Sequence, residues 1–284
     1  MAIKRLPSTG DAPRTTGVPE SLVPGGAADS AGYPWAGRTF DHHETAFASD
    51  DGETPDSLRD AVDRLRQAAS ANSLAGLADA HAAVIEVLGT VRVLVPLLAE
   101  AGAVGVTPEG RKVEKTQELS IVTVSAPDGR RVMPVFSSTA SMRAWNPEAR
   151  PIPVPMPQAA VAAASEQTDL IIIDAGSPDQ ELGIRRTELE SVAHGRPRRP
   201  AWANGDVERE FERIAAAEPR IEQLRLAPGD PHARLLAPEV DVLLRLTPGL
   251  DRTQLEDVVA HLQAQFAASS IIAHEVDSLR IALR

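Results

Sequence analysis

Three apolar segments decide the fold of this chain: ELSIVTV (118–124), RVMPVF (131–136) and LIIIDAG (170–176). The first two are rich in strand-forming residues and flank Ala126-Pro127-Asp128-Gly129, so they predict a β-hairpin closed by a turn. The third contains four consecutive large apolar residues, which is typical of a strand covered on both faces. An α/β core is therefore expected between residues 118 and 194.

Two helices and a strand are predicted before this core. The first helix begins at Thr54-Pro55-Asp56, which combines a hydroxyl cap, a proline and an acidic first turn. Gly89 ends the second helical run, whose apolar face includes or adjoins His81. We expect His81 to be a packing residue, since no second ligand accompanies it. The strand TVRVLVPLL (90–98) follows, and its Pro96 is expected to mark an edge or an end.

Prolines and a capping pattern mark the end of the first domain. The segment ARPIPVPMP (149–157) predicts an extended edge segment that leads into a helix over 158–166. Thr187 and Glu190 have the spacing of a capping box at the start of a further helix. The run HGRPRRP (194–200) has the composition of an exposed hinge, and we interpret its arginines as a solvated linker.

The remaining chain predicts an independent module with the order α-β-β-α-β. It begins with the helical VEREFERIAAA, continues with strands at 220–227 and 240–247 and a helix at 251–267, and ends with a strand at 277–284. Thr253 and Glu256 repeat the capping-box spacing. The predicted fold class is α+β (mixed α/β), with two small mixed-sheet domains whose helices pack on the sheets. The predicted organisation is a leader (1–55), an N-terminal domain (56–195), a linker (196–203) and a C-terminal module (204–284).

The leader is expected to be mostly disordered, because 13 of its 55 residues are proline or glycine. Its cluster Asp41-His42-His43-Glu44 contains metal-binding residue types, but we interpret it as a solvated acidic linker. The nearby aromatic residues Tyr33, Trp35 and Phe40 offer an alternative, a short segment that docks on a partner.

Composition excludes several classes of function. The chain has 40 acidic and 29 basic residues, a net charge of −11 and only 3% aromatic residues, so a nucleic-acid partner is not expected. It has no cysteine, and therefore no disulfide framework and no thiolate metal site. Charged residues interrupt its most apolar region (82–106), so neither a membrane span nor a membrane partner is expected. These features predict a cytoplasmic protein.

One polar group is a candidate ligand site. Ser137, Ser138 and Thr139 lead from a strand into a predicted helix, Arg143 lies one or two turns later, and Asp174 comes just after the four apolar residues of LIIIDAG. We expect the hydroxyl groups to cap the helix and Asp174 to serve as a loop cap or turn residue. The alternative is that this group binds the carboxylate and amine of an amino acid or a related anion.

Three motifs in this order resemble the N-terminal domain of the SseB family, the enhanced serine sensitivity protein B family, in its high-GC Gram-positive bacterial form. They are VRVLVPLL (91–98), the pair VMPVFSS and MRAWNPEARPIPV (132–154), and DLIIIDAG (169–176). The resemblance covers about residues 56–195, and the 204–284 module is similar in placement to the family's C-terminal domain. It implies a link to altered serine sensitivity but no catalytic residue, cofactor or ligand pocket.

The chain shows no recognisable catalytic constellation. Its seven histidines are scattered over the leader, linkers and helices, outside any known nucleophile or metalloprotease pattern. We therefore predict a non-enzymatic interaction or regulatory protein, without cofactor, metal site or catalytic residue, that binds a protein partner or itself. The alternative is a small-molecule sensor or enzyme that uses residues 137–143 and Asp174.

Overall fold

The computed structural model describes residues 47–71, 73–99, 104–106, 112–114, 119–126, 129–166 and 168–284. Several predictions fall outside these residues: the leader up to residue 46 with its histidine cluster and aromatic segment, and Pro127 and Asp128 of the predicted turn. Residues 50–284 form one compact unit.

The fold of the described residues is α+β, as predicted. The helices are α1 (Asp56–Ser70), α2 (Leu74–Leu88), α3 (Thr139–Trp145), α4 (Met156–Ser165), α5 (Leu189–His194), α6 (Gly205–Ala216), α7 (Arg252–Ala268) and α8 (Ser270–Glu275). The strands are β1 (Arg92–Ala99), β2 (Val104–Val106), β3 (Lys112–Glu114), β4 (Leu119–Ile121), β5 (Val124–Ser125), β6 (Arg131–Val135), β7 (Arg150–Pro155), β8 (Leu170–Ile173), β9 (Leu182–Arg185), β10 (Ile221–Pro228), β11 (Val240–Leu246) and β12 (Leu279–Leu283). Short 3-10 turns at 186–188 and 201–203 precede α5 and α6.

A four-stranded sheet with the order β5-β6-β8-β9 contains the predicted core strands. Strand β8, from LIIIDAG, lies between parallel β6 and antiparallel β9, and Leu170, Ile171 and Ile173 are buried. This confirms a largely buried central strand. Because β6 and β8 are parallel, Ser137 and Asp174 come to the same edge of the sheet.

The predicted hairpin is correct only near its turn. Strand β5 pairs antiparallel with β6, but β4 pairs with β1 in a separate sheet with the order β4-β1-β7. A single bridge, Leu94 to Phe136, joins β1 to the end of β6. In this register the next hydrogen-bonded pair would be Pro96 with Pro134, and neither has an amide hydrogen. The ladder therefore stops, and β4 pairs with β1 from Leu97 onward.

Strand β7 is the edge strand that its prolines predicted. Val154, Ile152 and Arg150 pair with β1. The three prolines alternate with these residues, so their nitrogen atoms point away from β1 and present no donor to a further strand. Pro96, in contrast, lies inside the central strand, and its prediction as an edge or end marker was wrong.

Two glycines allow α2 and α5 to approach each other. Gly89 ends α2 as predicted, but with a right-handed conformation rather than the left-handed cap typical of glycine. The reason for glycine is contact: a Cβ atom at Gly89 would lie 2.2 Å from the Cα atom of Gly195, which ends α5 with φ +61°. No side chain fits between these two backbones.

We therefore expect Gly89→Ala to lower the free energy of unfolding by about 2 to 3 kcal/mol, because the added methyl group must push two helix ends apart. Gly205→Ala is the control, since its Cβ would approach only the mobile end of the Arg209 side chain, at 3.3 Å. Urea unfolding of both variants measures the difference. Equal stability of the two variants would contradict the close approach.

The C-terminal sheet has the order β10-β11-β12 and carries its helices on one face. Val240, Val242 and Leu244 of β11 are fully buried against α6 and α7. The order of elements along the chain, α6-β10-β11-α7-β12, matches the predicted module, and α8 is an additional helix. The predicted Thr253–Glu256 capping box was wrong, because Asp251 caps α7 and forms the box with Gln254.

A loop after β10 covers the edge strand β9 of the first sheet. The Gly183 amide donates a hydrogen bond to the Ala233 carbonyl oxygen at 2.6 Å, and Ala233 packs in the same core cluster as α1 and β8. A Cβ atom at Gly183 would lie 2.1 Å from Cγ of Leu235. The two predicted domains therefore share contacts, and their independent folding stays a prediction.

Candidate functional site

The predicted polar group surrounds the ends of β6 and β8, and Asp174 lies at its centre. Asp174 is 2% exposed and has a left-handed backbone with φ +53°. Its Oδ1 accepts hydrogen bonds from the Ser137 amide at 2.8 Å and from the Ser141 hydroxyl at 2.5 Å. Its Oδ2 accepts one from the Ser137 hydroxyl at 2.5 Å. Both carboxylate oxygens thus have protein partners, which matches a loop-capping role.

A buried arginine fixes the segment before α1 against this group. Arg92 donates to both carboxylate oxygens of Asp50, to the Glu53 carbonyl oxygen at 2.6 Å and to the Ser137 carbonyl oxygen. Its hydrogen bonds hold the pKa of Asp50 below the usual range. The Thr54 hydroxyl lies 2.7 Å from the Ser137 hydroxyl. The hydroxyl groups and the carboxylate are therefore linked by consecutive hydrogen bonds from Thr54 through Ser137 to Asp174.

The amides at the start of α3 are largely occupied. Ser138 is the N-cap residue and accepts a hydrogen bond from the Ser141 amide at 3.0 Å. The Thr139 amide donates to the Gly52 carbonyl oxygen at 2.8 Å. Arg143 is exposed and forms no hydrogen bond or ion pair with the described residues. The structure thus brings together four of the five predicted residues and leaves Arg143 apart from them.

A cleft of about 260 Å³ adjoins this group. Ser137 and Asp174 lie in its wall. The other lining residues come from the start of α1 and from the segment between β8 and β9; they are Thr54, Leu58, Arg59, Val62, Asp63, Ile173, Asp179, Gln180 and Leu182. Leu58, Val62 and Leu182 are buried core residues. An apolar base and acidic side chains would suit a small ammonium compound better than an anion.

Replacing Asp174 with Asn tests how much its charge stabilises the fold. Asn accepts the left-handed backbone but weakens three charge-assisted hydrogen bonds, so we expect the free energy of unfolding to fall by about 2 kcal/mol. Asp169→Asn is the control, because Asp169 accepts only an exposed hydrogen bond from the Arg131 amide. Chemical denaturation compares the two variants. A larger loss at Asp169 would contradict the central role of Asp174.

A second polar cluster, which the sequence did not indicate, lies between β9 and the C-terminal residues. We call it the buried junction; it contains His81, Arg185, Glu188, Asp230, Glu239 and Asp277. Arg185 is 4% exposed. It forms ion pairs with Asp230 at 2.9 Å and with Asp277 at 3.1 Å, and donates to the Ala237 carbonyl oxygen. One side chain of the first sheet thus binds two acids from distant parts of the chain.

His81 and Glu188 form a buried pair within this junction, with 3.3 Å between Nε2 and Oε1. Burial raises the pKa of Glu188 to about 7 and lowers the pKa of His81 to about 4. The same cause raises the pKa of Glu239. At neutral pH His81 is therefore uncharged. It is a packing residue with a polar partner, in agreement with the prediction.

Glu188 also replaces the predicted capping box. Its Oε2 accepts a hydrogen bond from the Arg185 amide at 2.8 Å, whereas the Thr187 hydroxyl is buried without a partner among the described residues. The Thr187–Glu190 assignment was wrong because β9 runs directly into a 3-10 turn, which moves the capping acid two positions earlier. The signal that was missed is Glu188 three positions after Arg185, the same spacing as the predicted pair.

A groove of about 760 Å³ runs beside β10. Five consecutive strand residues, 223–227, contribute to its wall. The other contributions come from the start of α2, from residues 199–203, from α6 and from β11; they include Leu74, Trp202, Glu208, Arg245 and, after β12, Arg284. Leu74 is 55% exposed. This groove is larger than the cleft beside Asp174 and was not predicted.

The described residues contain neither a metal-binding cluster nor a membrane-spanning helix. In that part of the chain, no three His, Asp or Glu side chains are grouped so that they could hold a metal ion. No helix there has the length and apolar character needed to cross a bilayer.

Comparison with known proteins finds a similarity in the first domain. No curated protein and no solved structure matches the chain. A family model does match: the matched range begins within α1 and ends within α5, so it contains the sheets built from β1 to β9 and the polar group around Asp174. Residues 62–191 are similar to the family described as SseB protein N-terminal domain.

Proposed function

We propose that this protein is a cytosolic, non-enzymatic member of the SseB family that acts by binding another protein. The observation that carries the proposal is the mutual hydrogen bonding within the polar group. Asp174 accepts three hydrogen bonds from the chain, and the Ser137 hydroxyl lies between Asp174 and Thr54. A general base or nucleophile needs a lone pair directed at substrate, and these side chains direct theirs at one another.

The groove beside β10 supports a binding function. It combines an exposed apolar residue, Leu74, with charged side chains and a strand edge. Surfaces with an apolar centre and a charged rim are typical of protein interfaces. The groove also lies partly outside the SseB-like range, since β10 and β11 follow residue 191.

The direct test is partner capture followed by reconstitution. The full chain, tagged and cross-linked in the cells that produce it, is expected to retain a defined protein that binds the purified chain again at fixed stoichiometry in analytical ultracentrifugation. Self-association would appear in the same experiment as a concentration-dependent dimer. A chain that stays monomeric and binds none of the captured proteins when purified would overturn the proposal.

The cleft beside Asp174 favours a second candidate, a sensor of a small amino compound. Asp63 and Asp179 contribute to its lining with Asp174, and an ammonium group would find acidic partners there. Thermal unfolding in the presence of each amino acid at millimolar concentration separates the two candidates. The interaction proposal expects no rise in melting temperature, whereas a saturable rise that Asp63→Asn abolishes would favour the sensor.

A further inference from the structure

Edge strand β10 has an edge that is open to further pairing, unlike two other edge strands among the described residues. Strand β7 is closed to further pairing by three prolines, and β9 is covered by the loop that contains Ala233. Strand β10 pairs on one side with β11 and has no strand partner on its other side among the described residues; its residues 223–227 line the groove together with residues 243–245 of β11. Unpaired strand edges are sites where an extended segment can add to a sheet.

The direction of the free backbone groups follows from the register. The Gly229 amide donates to the Glu239 carbonyl oxygen across the β10–β11 pair, so residues of the same parity, 225 and 227, face β11. Leu224 and Leu226 therefore direct their amide and carbonyl groups away from β11, toward the open edge of the sheet. Pro228 ends the row, because it has no amide hydrogen. The open edge is thus short, with two donors and their neighbouring acceptors.

Side chains of opposite character lie on the two sides of this edge. Leu224 and Leu226 pack against the C-terminal core on the helix side of the sheet. Arg225 is on the opposite face, next to Leu243 in the β11 register. An added strand would alternate its side chains in the same way, one set toward the arginine face and the other toward the helix side.

The charge of the groove determines which side chains an added strand would direct toward the arginine face. Four arginines line the groove, at positions 199, 225, 245 and 284, against two glutamates, Glu208 and Glu212. Arg199 pairs with Asp79 and Arg245 with Glu222, whereas Arg225 and Arg284 form no ion pair with the described residues. Glu208 and Glu212 belong to α6 on the helix side, so the unpaired positive charge of Arg225 and Arg284 lies on the opposite face of the sheet.

We propose that β10 accepts a fourth strand from a partner protein, an extended segment in which acidic residues face the arginines and alternate with apolar residues that face the helix side. This inference rests on the proposed function and specifies its partner. The backbone hydrogen bonds of Leu224 and Leu226 hold the segment, and Arg225 and Arg284 select its acidic side chains.

The probe is a displayed library of random nonapeptides, selected against the full chain. Enriched peptides are expected to carry Asp or Glu at alternate positions. In a synthetic copy of one enriched peptide, N-methylation of the alternate amides that face β10 should weaken binding at least tenfold. N-methylation of the other set should change it less than twofold, because those amides point to solvent.

Matched variants of the protein complete the test. Arg225→Glu is expected to weaken peptide binding at least tenfold, and Arg252→Glu, on exposed α7 and 90% accessible, is expected to leave it unchanged. No enrichment, enrichment without acidic alternation, or equal loss from both methylation patterns would overturn the inference. If the partner recovered by capture still binds in that case, the proposed function stands and only the strand-addition mode fails.

Discussion

Replacing Arg185 with Ala is expected to lower the free energy of unfolding by about 3 to 5 kcal/mol, the largest loss from any single substitution considered for this chain. Arg185 is almost fully buried and holds Asp230 and Asp277, whose side chains are 6% and 5% exposed. Without the guanidinium, two carboxylates lose a cation in an environment that solvates charge poorly. Urea unfolding monitored by circular dichroism measures the loss.

Arg280→Ala is the matched control. Arg280 also forms a two-pronged ion pair, with Asp241, but its side chain is 55% exposed. An exposed pair of this kind contributes at most about 1 kcal/mol. Equal losses from Arg185→Ala and Arg280→Ala would show that the buried junction does not stabilise the fold as described.

The second large effect concerns pH and the pair of His81 and Glu188. Glu188, with its raised pKa, stabilises the fold at low pH and loses this contribution as the pH rises from 4.5 through about 7. His81, with its lowered pKa, contributes above pH 6.5 and loses this contribution as the pH falls through about 4. Between pH 4.5 and 6.5 the folded pair holds one proton on Glu188 and the unfolded pair holds one on His81, so the two slopes cancel.

In Glu188→Gln the pH dependence of stability that Glu188 contributes is absent, so the pH dependence that His81 contributes is no longer cancelled. Relative to the parent chain, the variant is expected to lose stability steadily as the pH is lowered from about 7 to 4.5. The total is about 3 kcal/mol, since each pH unit per proton corresponds to about 1.4 kcal/mol. Arg185, Asp230, Glu239 and Arg198 act on His81 in both chains, so the difference between the two profiles isolates Glu188.

Glu275→Gln serves as the control for this pH profile. Glu275 also contacts a histidine, His274, at 3.1 Å, but the His274 side chain is 76% exposed. Its difference profile is expected to lack a comparable slope between pH 7 and 4.5. A flat difference profile for Glu188→Gln would sink the assignment of the buried proton.

Local patterns predicted the parts of the fold that depend on neighbouring residues. The run LIIIDAG gave a largely buried strand, and the alternating prolines of β7 gave an edge, because each pattern acts directly on its own backbone. The pairing of β4 with β1 depended instead on Pro96 and Pro134, which face each other although they are 38 positions apart in the sequence. No local window contains both residues.

The same distinction applies to the sites. The hydroxyl run and Asp174 were identified because each stands where a strand ends, and their mutual hydrogen bonds follow from the parallel pairing of β6 and β8. The buried junction was missed because Arg185 meets acids 45 and 92 positions away. Glu188 lies between Thr187 and Glu190, the pair whose spacing predicts a capping box that the structure does not form. The groove beside β10 was missed because a strand's edge position is set by the whole sheet.

The loop over β9 has a consequence for synthesis on the ribosome. When residue 195 has left the exit tunnel, the first sheet is complete in sequence, yet Gly183 lacks its acceptor and Arg185 its two carboxylates. Ala233 and Asp230 appear only after some 35 further residues, and Asp277 just before the last strand. Until those residues emerge, Arg185 has no acidic partner and the edge of β9 is uncovered, so the nascent chain exposes the kind of unpaired strand edge that chaperones protect from aggregation.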